Sequence, residues 1–255
     1  MNKNFRIIPS LLIENNKLIK TLNFKNPKYV GDPINVTKIF NDKNVDEIFI
    51  IDKSYSNKTH GPNLNLIQKM ASECFVPVCY GGGIRNLKDA YKVFNLGIEK
   101  ISIQQMVFKN FKNLNLLVSE FGSSSIVFSL DIIMKNNKYF VYDAFSEKIY
   151  SSDLKSVILR ASESGAGEIF LNFIDLDGTL NGPDLEIFKY ISNYNTSIIY
   201  QGGVSSIEDI IDLIKAGADS VAIGSFFIFY GKFKSVLISY PSVRELKEIM
   251  KSVQE

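Results

Sequence analysis

The segment GGGIRNLKDAYKVFNLGIEKISI, Gly81–Ile103, decides the fold because the chain contains a second version of it. That version is QGGVSSIEDIIDLIKAGADSVAI, Gln201–Ile223. The two begin 120 residues apart (201 − 81), which is about half of the 255-residue chain. Each consists of glycines, a helical pattern and a short apolar strand. A repeat at this distance indicates a chain built from two related halves.

Short apolar segments and helical patterns alternate along the whole chain. The candidate strands are RIIPSLLI, EIFIID, VPVCYG, EKISIQ, SIVFSLDII, EIFLNFID, SIIYQG and DSVAIG. Eight strand–helix units predict an α/β fold, the (β/α)8 TIM barrel with half-barrel internal duplication. We expect one domain over residues 1–255, with halves at approximately 1–122 and 123–255. A doubly wound sheet is the weaker alternative, because no GxGxxG motif opens the first turn.

Two segments exceed the simple strand–helix pattern. YFVYDAFSEKIYSS, after the fifth strand, predicts a β-hairpin insertion on the upper loops, and FYGKFKSVLISYP predicts a second insertion before the last helix. Both would stand at the ends of the barrel strands where ligands bind.

Composition excludes several classes of function. The net charge is only +2, and lysines alternate with acidic residues, so we do not expect nucleic acid as a partner. The N-terminus lacks a signal-peptide pattern, and no apolar run approaches the roughly 18 residues of a membrane span. We therefore expect a cytoplasmic protein without a membrane partner.

The cysteines and the histidine offer little for catalysis. Cys74 and Cys79 form a C-x4-C pair that fits neither a zinc site nor a redox motif, so we expect buried, inert thiols. His60 is the only histidine and lies in a loop, where substrate contact is the alternative to a purely structural role. No nicotinamide fingerprint and no metal cluster stand out, and we expect no cofactor and no metal.

Glycines and polar residues at the predicted strand ends are candidates for phosphate binding. A TIM barrel commonly holds phosphate on backbone N–H groups after its seventh and eighth strands. The candidates there and at the equivalent places in the first half are Gly202, Gly203, Gly224 and Ser225, and Gly81, Gly82, Gly83, Gln104 and Gln105. The alternative is plain turn chemistry.

Acidic residues follow the fifth and sixth strands. Asp131 ends the fifth strand, and Asp175, Asp177 and Gly178 follow the sixth. A carboxylate in a dry barrel mouth is a candidate general acid or base, because burial raises its pKa. The alternative for Asp175 and Asp177 is the capping of a turn.

Four charged residues are predicted at the opposite end of the barrel, its floor. Arg6 has the same parity as Ile8, Ser10 and Leu12, so it points inward if Leu12 does. The same count places Lys100 and Glu168 at this level, Glu47 begins the second strand, and the four charges sum to zero. They form either a solvated salt-bridge cluster or a gate to a central passage.

The motifs RIIP, NFKNPKYVGDP, VDEIFIID, YGGGIRN, GIEKISI, SGAGEIFLNFIDLDGTLNG and QGGVSS occur in this order. Together they resemble the cyclase subunit of imidazole glycerol phosphate synthase, HisF, over nearly the whole chain. The resemblance implies a HisH-like glutaminase on the barrel floor and ammonia that travels through the barrel. Arg6, Glu47, Lys100 and Glu168 match the family's four-residue gate position for position.

The upper face departs from the family. Asp131 matches one of its two catalytic aspartates, but Leu12 occupies the position of the other and cannot exchange a proton. Lys20 and Asp52 still match family positions near the site. DAFSEK replaces a Ser-Gly-Lys-Lys type substrate loop, and Gln104 and Gln105 replace the usual Asn-Thr phosphate contacts.

This pattern resembles divergent HisF-like proteins found with sugar amidotransferases of surface-polysaccharide pathways. It implies a synthase subunit that conducts glutamine-derived ammonia toward amidation of a sugar, with a phosphate-bearing small molecule as a further partner. A cyclase of histidine biosynthesis in which another group replaces Leu12 is one alternative. A non-catalytic phosphosugar-binding or scaffold barrel is another.

Overall fold

The structure is a computed structural model that describes residues 5–54, 61–191 and 196–254. His60 lies outside the described residues. The strands are β1 (Arg6–Glu14), β2 (Lys17–Leu22), β3 (Lys25–Gly31), β4 (Ile48–Asp52), β5 (Val78–Gly81), β6 (Lys100–Ile103), β7 (Ile126–Lys135), β8 (Lys138–Asp143), β9 (Lys148–Ser151), β10 (Glu168–Phe173), β11 (Ser197–Gln201), β12 (Ser220–Ile223), β13 (Phe229–Tyr230) and β14 (Ser235–Val236). The helices are α1 (Pro33–Asp42), α2 (Leu64–Ala71), α3 (Leu87–Phe94), α4 (Gln105–Lys109), α5 (Lys112–Phe121), α6 (Leu154–Glu163), α7 (Glu186–Tyr190), α8 (Ile207–Ala216) and α9 (Val243–Gln254).

Eight of these strands close into a parallel barrel. Each barrel strand pairs with its neighbours in the order β1, β4, β5, β6, β7, β10, β11 and β12, and β12 pairs with β1 to complete the circle. Helices connect consecutive barrel strands, which confirms the predicted (β/α)8 fold. All eight predicted strands are present, so their carboxyl ends meet on one face, here called the upper face, and their amino ends meet at the floor.

Side chains of alternate parity form two separate apolar layers. The inner layer lies in the bore of the barrel and consists of Ile8, Phe49, Cys79, Val127, Phe170, Ile199 and Ala222. The residues of opposite parity, such as Ile7, Leu11 and Ile48, pack outward against the helices. This alternation is the one that a closed barrel imposes. It places Arg6 and Leu12 on the inward side with Ile8, as their shared parity predicts.

The two copies of the sequence repeat fold alike. Helix α3 begins at Leu87 and α8 at Ile207, again 120 residues apart, and both are capped by the preceding residue. Asn86 accepts a hydrogen bond from the Asp89 amide in one copy, and Ser206 accepts one from the Asp209 amide in the other. The bounds of the two halves along the rest of the chain stay a prediction.

Three hairpins stand above the barrel. The β8–β9 hairpin is the predicted insertion after the fifth barrel strand, and β13 and β14 form a short ladder within the predicted second insertion. The β2–β3 hairpin was not predicted. Its turn is Asn23-Phe24, with φ of 52° and 62°, and a second turn at Asn15-Asn16, with φ of 50° and 60°, folds β1 back into β2. Asn-rich pairs with positive φ are typical of two-residue hairpin turns.

Candidate functional site

The four charged residues of the floor meet in the bore and form a closed ring, here called the charged ring. Arg6 donates hydrogen bonds to both Glu47 and Glu168. Lys100 Nζ donates to Glu47 Oε2 at 2.8 Å and to Glu168 Oε2 at 2.9 Å. Each cation therefore contacts both carboxylates, so the ring has no gap between neighbouring charges.

Burial and charge balance act against each other in the ring. Burial disfavours the charge on Arg6 and on Lys100, but the two carboxylates outweigh it and raise both pKa values. Burial raises the pKa of Glu47, and the neighbouring cations oppose that shift only in part. A buried ion cluster survives only when its charges cancel, and removing one member leaves an uncompensated charge.

The apolar layer lies directly above the charged ring. Along β10 the inward side chains are Glu168, Phe170 and Asn172, so one strand passes through the ring, the apolar layer and the polar upper level. Phe170 stacks on Phe49 with ring centroids 4.3 Å apart. At roughly 3.3 Å per residue, the ring and the upper level are about 13 Å apart along the strand.

The cysteines are free, and both have a raised thiol pKa. Cys79 is fully buried in the inner layer, and burial raises its pKa well above the ordinary value. Cys74 is partly exposed, and desolvation raises its pKa to about 11. Protonated thiols are poor nucleophiles, which agrees with the inert role predicted for them.

Asp131 lies at the centre of a hydrogen-bonded network on the upper face. Gln104 Nε2 donates to Asp131 Oδ2 at 2.9 Å, and Asn172 Nδ2 donates to Asp131 Oδ1 at 2.9 Å. Gln201 Nε2 in turn donates to Asn172 Oδ1 at 3.0 Å. Burial raises the pKa of Asp131 to about 6, although the two amide donors oppose the shift. Asp131 is therefore poised to exchange a proton near neutral pH.

Leu12 lies at the upper end of β1, in register with Ile51 of β4 and Ile19 of β2. It is partly buried, and its parity directs it toward the bore. An apolar side chain therefore occupies the barrel position where the resemblance to HisF implies a second catalytic carboxylate.

Asp52 lies on the opposite side of the barrel wall from Asp131. It has the outward parity of Ile48 and Ile50 and accepts hydrogen bonds from Tyr80 Oη at 3.3 Å and the Ser54 amide at 2.9 Å. Burial raises its pKa. The structure does not bring Asp52 together with Asp131, so the geometry does not support the predicted catalytic role of Asp52.

Lys20 belongs to β2 and is buried, so it is not an exposed end of a strand. Its Nζ donates to the Ser10 carbonyl at 2.7 Å. A Cβ on Gly224 would lie 2.8 Å from this Nζ, so the ammonium group sits against the end of the eighth barrel strand. Burial lowers the pKa of Lys20 to about 8, and Asp177 opposes the shift. A cation therefore faces one predicted phosphate site.

The paired glycines of the repeat have matching backbones. Gly82 and Gly83 have φ of 145° and 68°, and Gly202 and Gly203 have φ of 137° and 79°. Glycine is required at Gly203, where a Cβ would lie 2.0 Å from the Gly182 carbonyl. The Gly203 amide donates to Leu176 O at 3.0 Å and is thus already used within the protein.

The remaining upper-face candidates are held by protein contacts. Gln105 donates to Asp143 of the β8–β9 hairpin. Asp175 Oδ2 accepts from the Met134 amide at 2.8 Å, and Asp177 Oδ2 accepts from Thr21 Oγ1 at 2.5 Å. Both aspartates tie neighbouring strands to the sixth βα loop, a structural role that differs from the turn cap considered from the sequence. Ser225 is buried and begins a short 3-10 turn after β12.

Two members of the upper network, Asn172 and Gln201, were not predicted as site residues. Their inward parity follows from Phe170 and Ile199, so the sequence places both at the barrel mouth. Their hydrogen bond joins side chains of two neighbouring strands that are distant in sequence, so the sequence pattern alone does not reveal it. Among the described residues no group of three or more His, Cys, Asp or Glu side chains could hold a metal ion.

Comparison with known proteins identifies the relatives of this chain. Residues 6–234 match the family described as "Histidine biosynthesis protein". The chain is 44% identical over 247 residues to a protein of Pseudomonas aeruginosa provisionally named imidazole glycerol phosphate synthase subunit hisF2, covering 94% of this chain and 97% of the relative. A Vibrio vulnificus protein provisionally named subunit hisF3 is 40% identical over 252 residues, with 96% of each covered. Imidazole glycerol phosphate synthase subunit HisF of Dictyoglomus thermophilum is 35% identical over 226 residues, covering 88% of this chain and 90% of the relative.

Within the residues the structure covers, no helix is long and apolar enough to span a membrane.

Proposed function

The chain belongs to the histidine biosynthesis protein family, and from this premise we propose that it is a HisF-like subunit that conducts glutamine-derived ammonia without closing an imidazole ring. The observation that carries the proposal is the pairing of a complete charged ring at the floor with Leu12 at the mouth. The floor keeps the groups that would admit ammonia. The mouth lacks one of the two carboxylates that the family's cyclisation would use.

A glutaminase of the HisH kind is the partner proposed at the floor. The side chains of Arg6, Lys100 and Glu168 are 24%, 17% and 12% exposed there and Glu47 only 2%, so the cations form the larger part of the ring surface that a partner would meet. Ammonia released at this surface would meet the ring first. On this proposal the ring would open to ammonia when the ion pairs of one cation separate.

A sugar amidotransferase is the partner proposed at the upper face. The hairpins β2–β3 and β13–β14 touch there, with Lys28 Nζ 5.2 Å from the centre of the Phe229 ring. They expose Tyr29, Tyr230 and Phe233, and Phe233 is 89% exposed. Exposed aromatic side chains beside a mouth are typical of a protein contact surface. Such a contact would let ammonia pass to its acceptor without dilution in solvent.

The phosphate-bearing ligand is proposed beside Lys20, Gly224 and Ser225. A buried ammonium next to a glycine backbone offers a point charge and close approach to a phosphate. Gly82 and Gly83, with Gln104 and Gln105, remain a proposed second site. Gln105 would have to leave Asp143 to serve there.

The first experiment asks whether the barrel is a cyclase. The purified chain is given an ammonium salt at high pH together with the ribulosyl aminoimidazole carboxamide nucleotide, and loss of substrate is followed. We expect no turnover at ordinary enzyme rates, because loss of one general acid–base partner costs roughly 10² to 10⁴ in rate. Substantial turnover would identify a cyclase of histidine biosynthesis instead.

A matched variant refines this result. Leu12→Asp restores a carboxylate at the mouth and leaves the charged ring unchanged. A gain in cyclisation would identify Leu12 as the main defect, whereas no gain would show that the Gln104 and DAFSEK changes also matter.

The second experiment asks whether the barrel has a glutaminase partner. The chain is mixed with the candidate glutaminase, and complex formation and glutamine hydrolysis are measured. We expect a stable complex with faster hydrolysis than the glutaminase alone. Absence of both effects would favour a scaffold or phosphosugar-binding barrel.

A further inference from the structure

Two buried oxygen atoms among the described residues have no hydrogen-bond partner, Glu47 Oε1 and Gln201 Oε1. Both are acceptors, and both belong to inward-facing residues. Glu47 is part of the charged ring, and Gln201 lies at the end of β11 on the upper face. Buried polar groups are normally satisfied, so two exceptions at opposite ends of one bore call for an explanation.

The orientation of Gln201 follows from the network below it. The Asp131 carboxylate accepts the Asn172 amide group, which turns Asn172 Oδ1 toward Gln201. Asn172 Oδ1 can only accept, so the NH₂ group of Gln201 must point to it. Gln201 Oε1 is thereby left as the free end of the chain of hydrogen bonds. This series of hydrogen bonds also polarises the Gln201 amide and makes its Oε1 a stronger acceptor, because each hydrogen bond in a series strengthens the next.

The missing partner must be a hydrogen-bond donor. No buried side-chain donor lacks a partner among the residues that the structure covers, since the two unsatisfied atoms are both oxygens. Ammonia carries three N–H donors. Gln201 Oε1 is neutral, so it can hold ammonia without favouring ammonium as a carboxylate in direct contact would.

We propose that Gln201 Oε1 is the binding point for ammonia at the upper end of the bore, backed by Asn172 and Asp131. This inference rests on the proposed function, in which ammonia passes through the bore. In this conformation the oxygen is closed off from solvent. Ammonia at this point would donate a hydrogen bond to an oxygen that accepts none from the described residues.

The experiment observes the Gln201 side chain in the full-length chain by NMR. The sequence has five glutamines, at positions 68, 104, 105, 201 and 254, so selective ¹³Cδ and ¹⁵Nε labelling gives a small set of signals. Gln201→Leu and Gln201→Asn assign the signal, and either suffices if the other does not fold. Ammonium chloride is the probe. Gln68 and Gln254 are exposed and serve as internal controls.

We expect a saturable shift of the Gln201 carbonyl signal that grows at constant total ammonium as the pH rises toward the pKa of ammonium. Tetramethylammonium chloride has no N–H donor and should leave the signal unchanged. No shift, or an equal shift with tetramethylammonium or sodium chloride, would overturn the binding point. That result would leave glutamine-dependent transfer untouched, and a failure of transfer would leave ammonia binding measurable.

Discussion

Asp131 shows how a single residue can keep its chemistry while its surroundings change. Two amide donors hold its oxygens, and burial still raises its pKa to about 6. Leu12 lies at the upper end of β1, and in the proposed function it takes the place of a second carboxylate. On this proposal Asp131 is the one proton-exchanging group left of the pair that cyclisation would use, and two amide side chains hold it in place.

The first residue-scale prediction concerns Asp131 and pH. Its folded pKa lies above the unfolded value near 3.8, so its protonated form stabilises the fold. This contribution is fully present below about pH 4 and is lost as the pH rises through 6. Relative to Asp131→Asn, the free energy of unfolding of the wild type should fall by roughly 2 to 3 kcal/mol between pH 4 and 7. Chemical denaturation of both proteins at several pH values measures this difference. Free energies of unfolding that change with pH in the same way in both proteins would contradict a raised pKa of Asp131.

The second residue-scale prediction concerns Lys20. Burial lowers its pKa to about 8 from 10.5, so the unfolded chain binds its proton more tightly and stability rises with pH between 8 and 10.5. Lys20→Met should therefore be more stable than the wild type at pH 7, with the gap narrowing toward pH 10.

Phosphate gives Lys20 a second test. Inorganic phosphate should raise the melting temperature of the wild type and not that of Lys20→Met, because the buried ammonium would gain a counter-charge. An equal rise in both proteins would remove Lys20 from the phosphate site.

At the scale of elements, the β2–β3 hairpin is joined to the sixth βα loop by close backbone contact. Asn23 N donates to Asp177 O at 2.9 Å, and Asn23 Nδ2 donates to Asp175 O at 2.7 Å. A Cβ on Gly178 would lie 2.1 Å from Thr21 O. Lys20 belongs to β2 of this hairpin, so this contact helps to hold the strand that carries Lys20 in place.

The element-scale prediction compares two glycines. Gly178 and Gly97 both have positive φ, 70° and 87°, but Gly97 has nothing within 4 Å of an added Cβ. Gly97→Ala should cost about 1 kcal/mol of backbone strain. Gly178→Ala should cost more than that and should loosen the hairpin, because its clash is with backbone. Chemical denaturation and limited proteolysis measure both, and equal effects would contradict the close contact.

At the scale of the molecule, the barrel and its charged ring were predictable from the sequence because both depend on periodicity. Strand parity and the 120-residue repeat place Arg6, Lys100 and Glu168 inside before any coordinates are known. The β2–β3 hairpin was missed because neither Asn15-Asn16, which turns β1 into β2, nor Asn23-Phe24, which turns β2 into β3, was recognised as a turn. The Asn172–Gln201 contact could not be predicted for two reasons. Neutral amide side chains do not require a partner of opposite charge, and which residues face each other across β10 and β11 depends on the strand register.

The charged ring itself gives a stability prediction. Lys100→Met leaves two buried carboxylates with only Arg6, so we expect a loss of roughly 3 kcal/mol. Lys53→Met breaks an ion pair of 3.1 Å with Glu14 outside the bore and should cost less than about 1 kcal/mol. Thermal and chemical unfolding of both variants measure the difference. Equal small losses would mean that the ring is as solvated as a surface pair.

The measurement that tests the central claim most directly follows the nitrogen atom. The barrel, its glutaminase and the sugar amidotransferase are combined with amide-¹⁵N glutamine and an excess of unlabelled ammonium, and the ¹⁵N content of the amidated product is measured. Passage through the bore predicts a product rich in ¹⁵N, far above the fraction in the surrounding ammonium. A product whose ¹⁵N content equals that of the bulk ammonium would contradict conduction through the barrel.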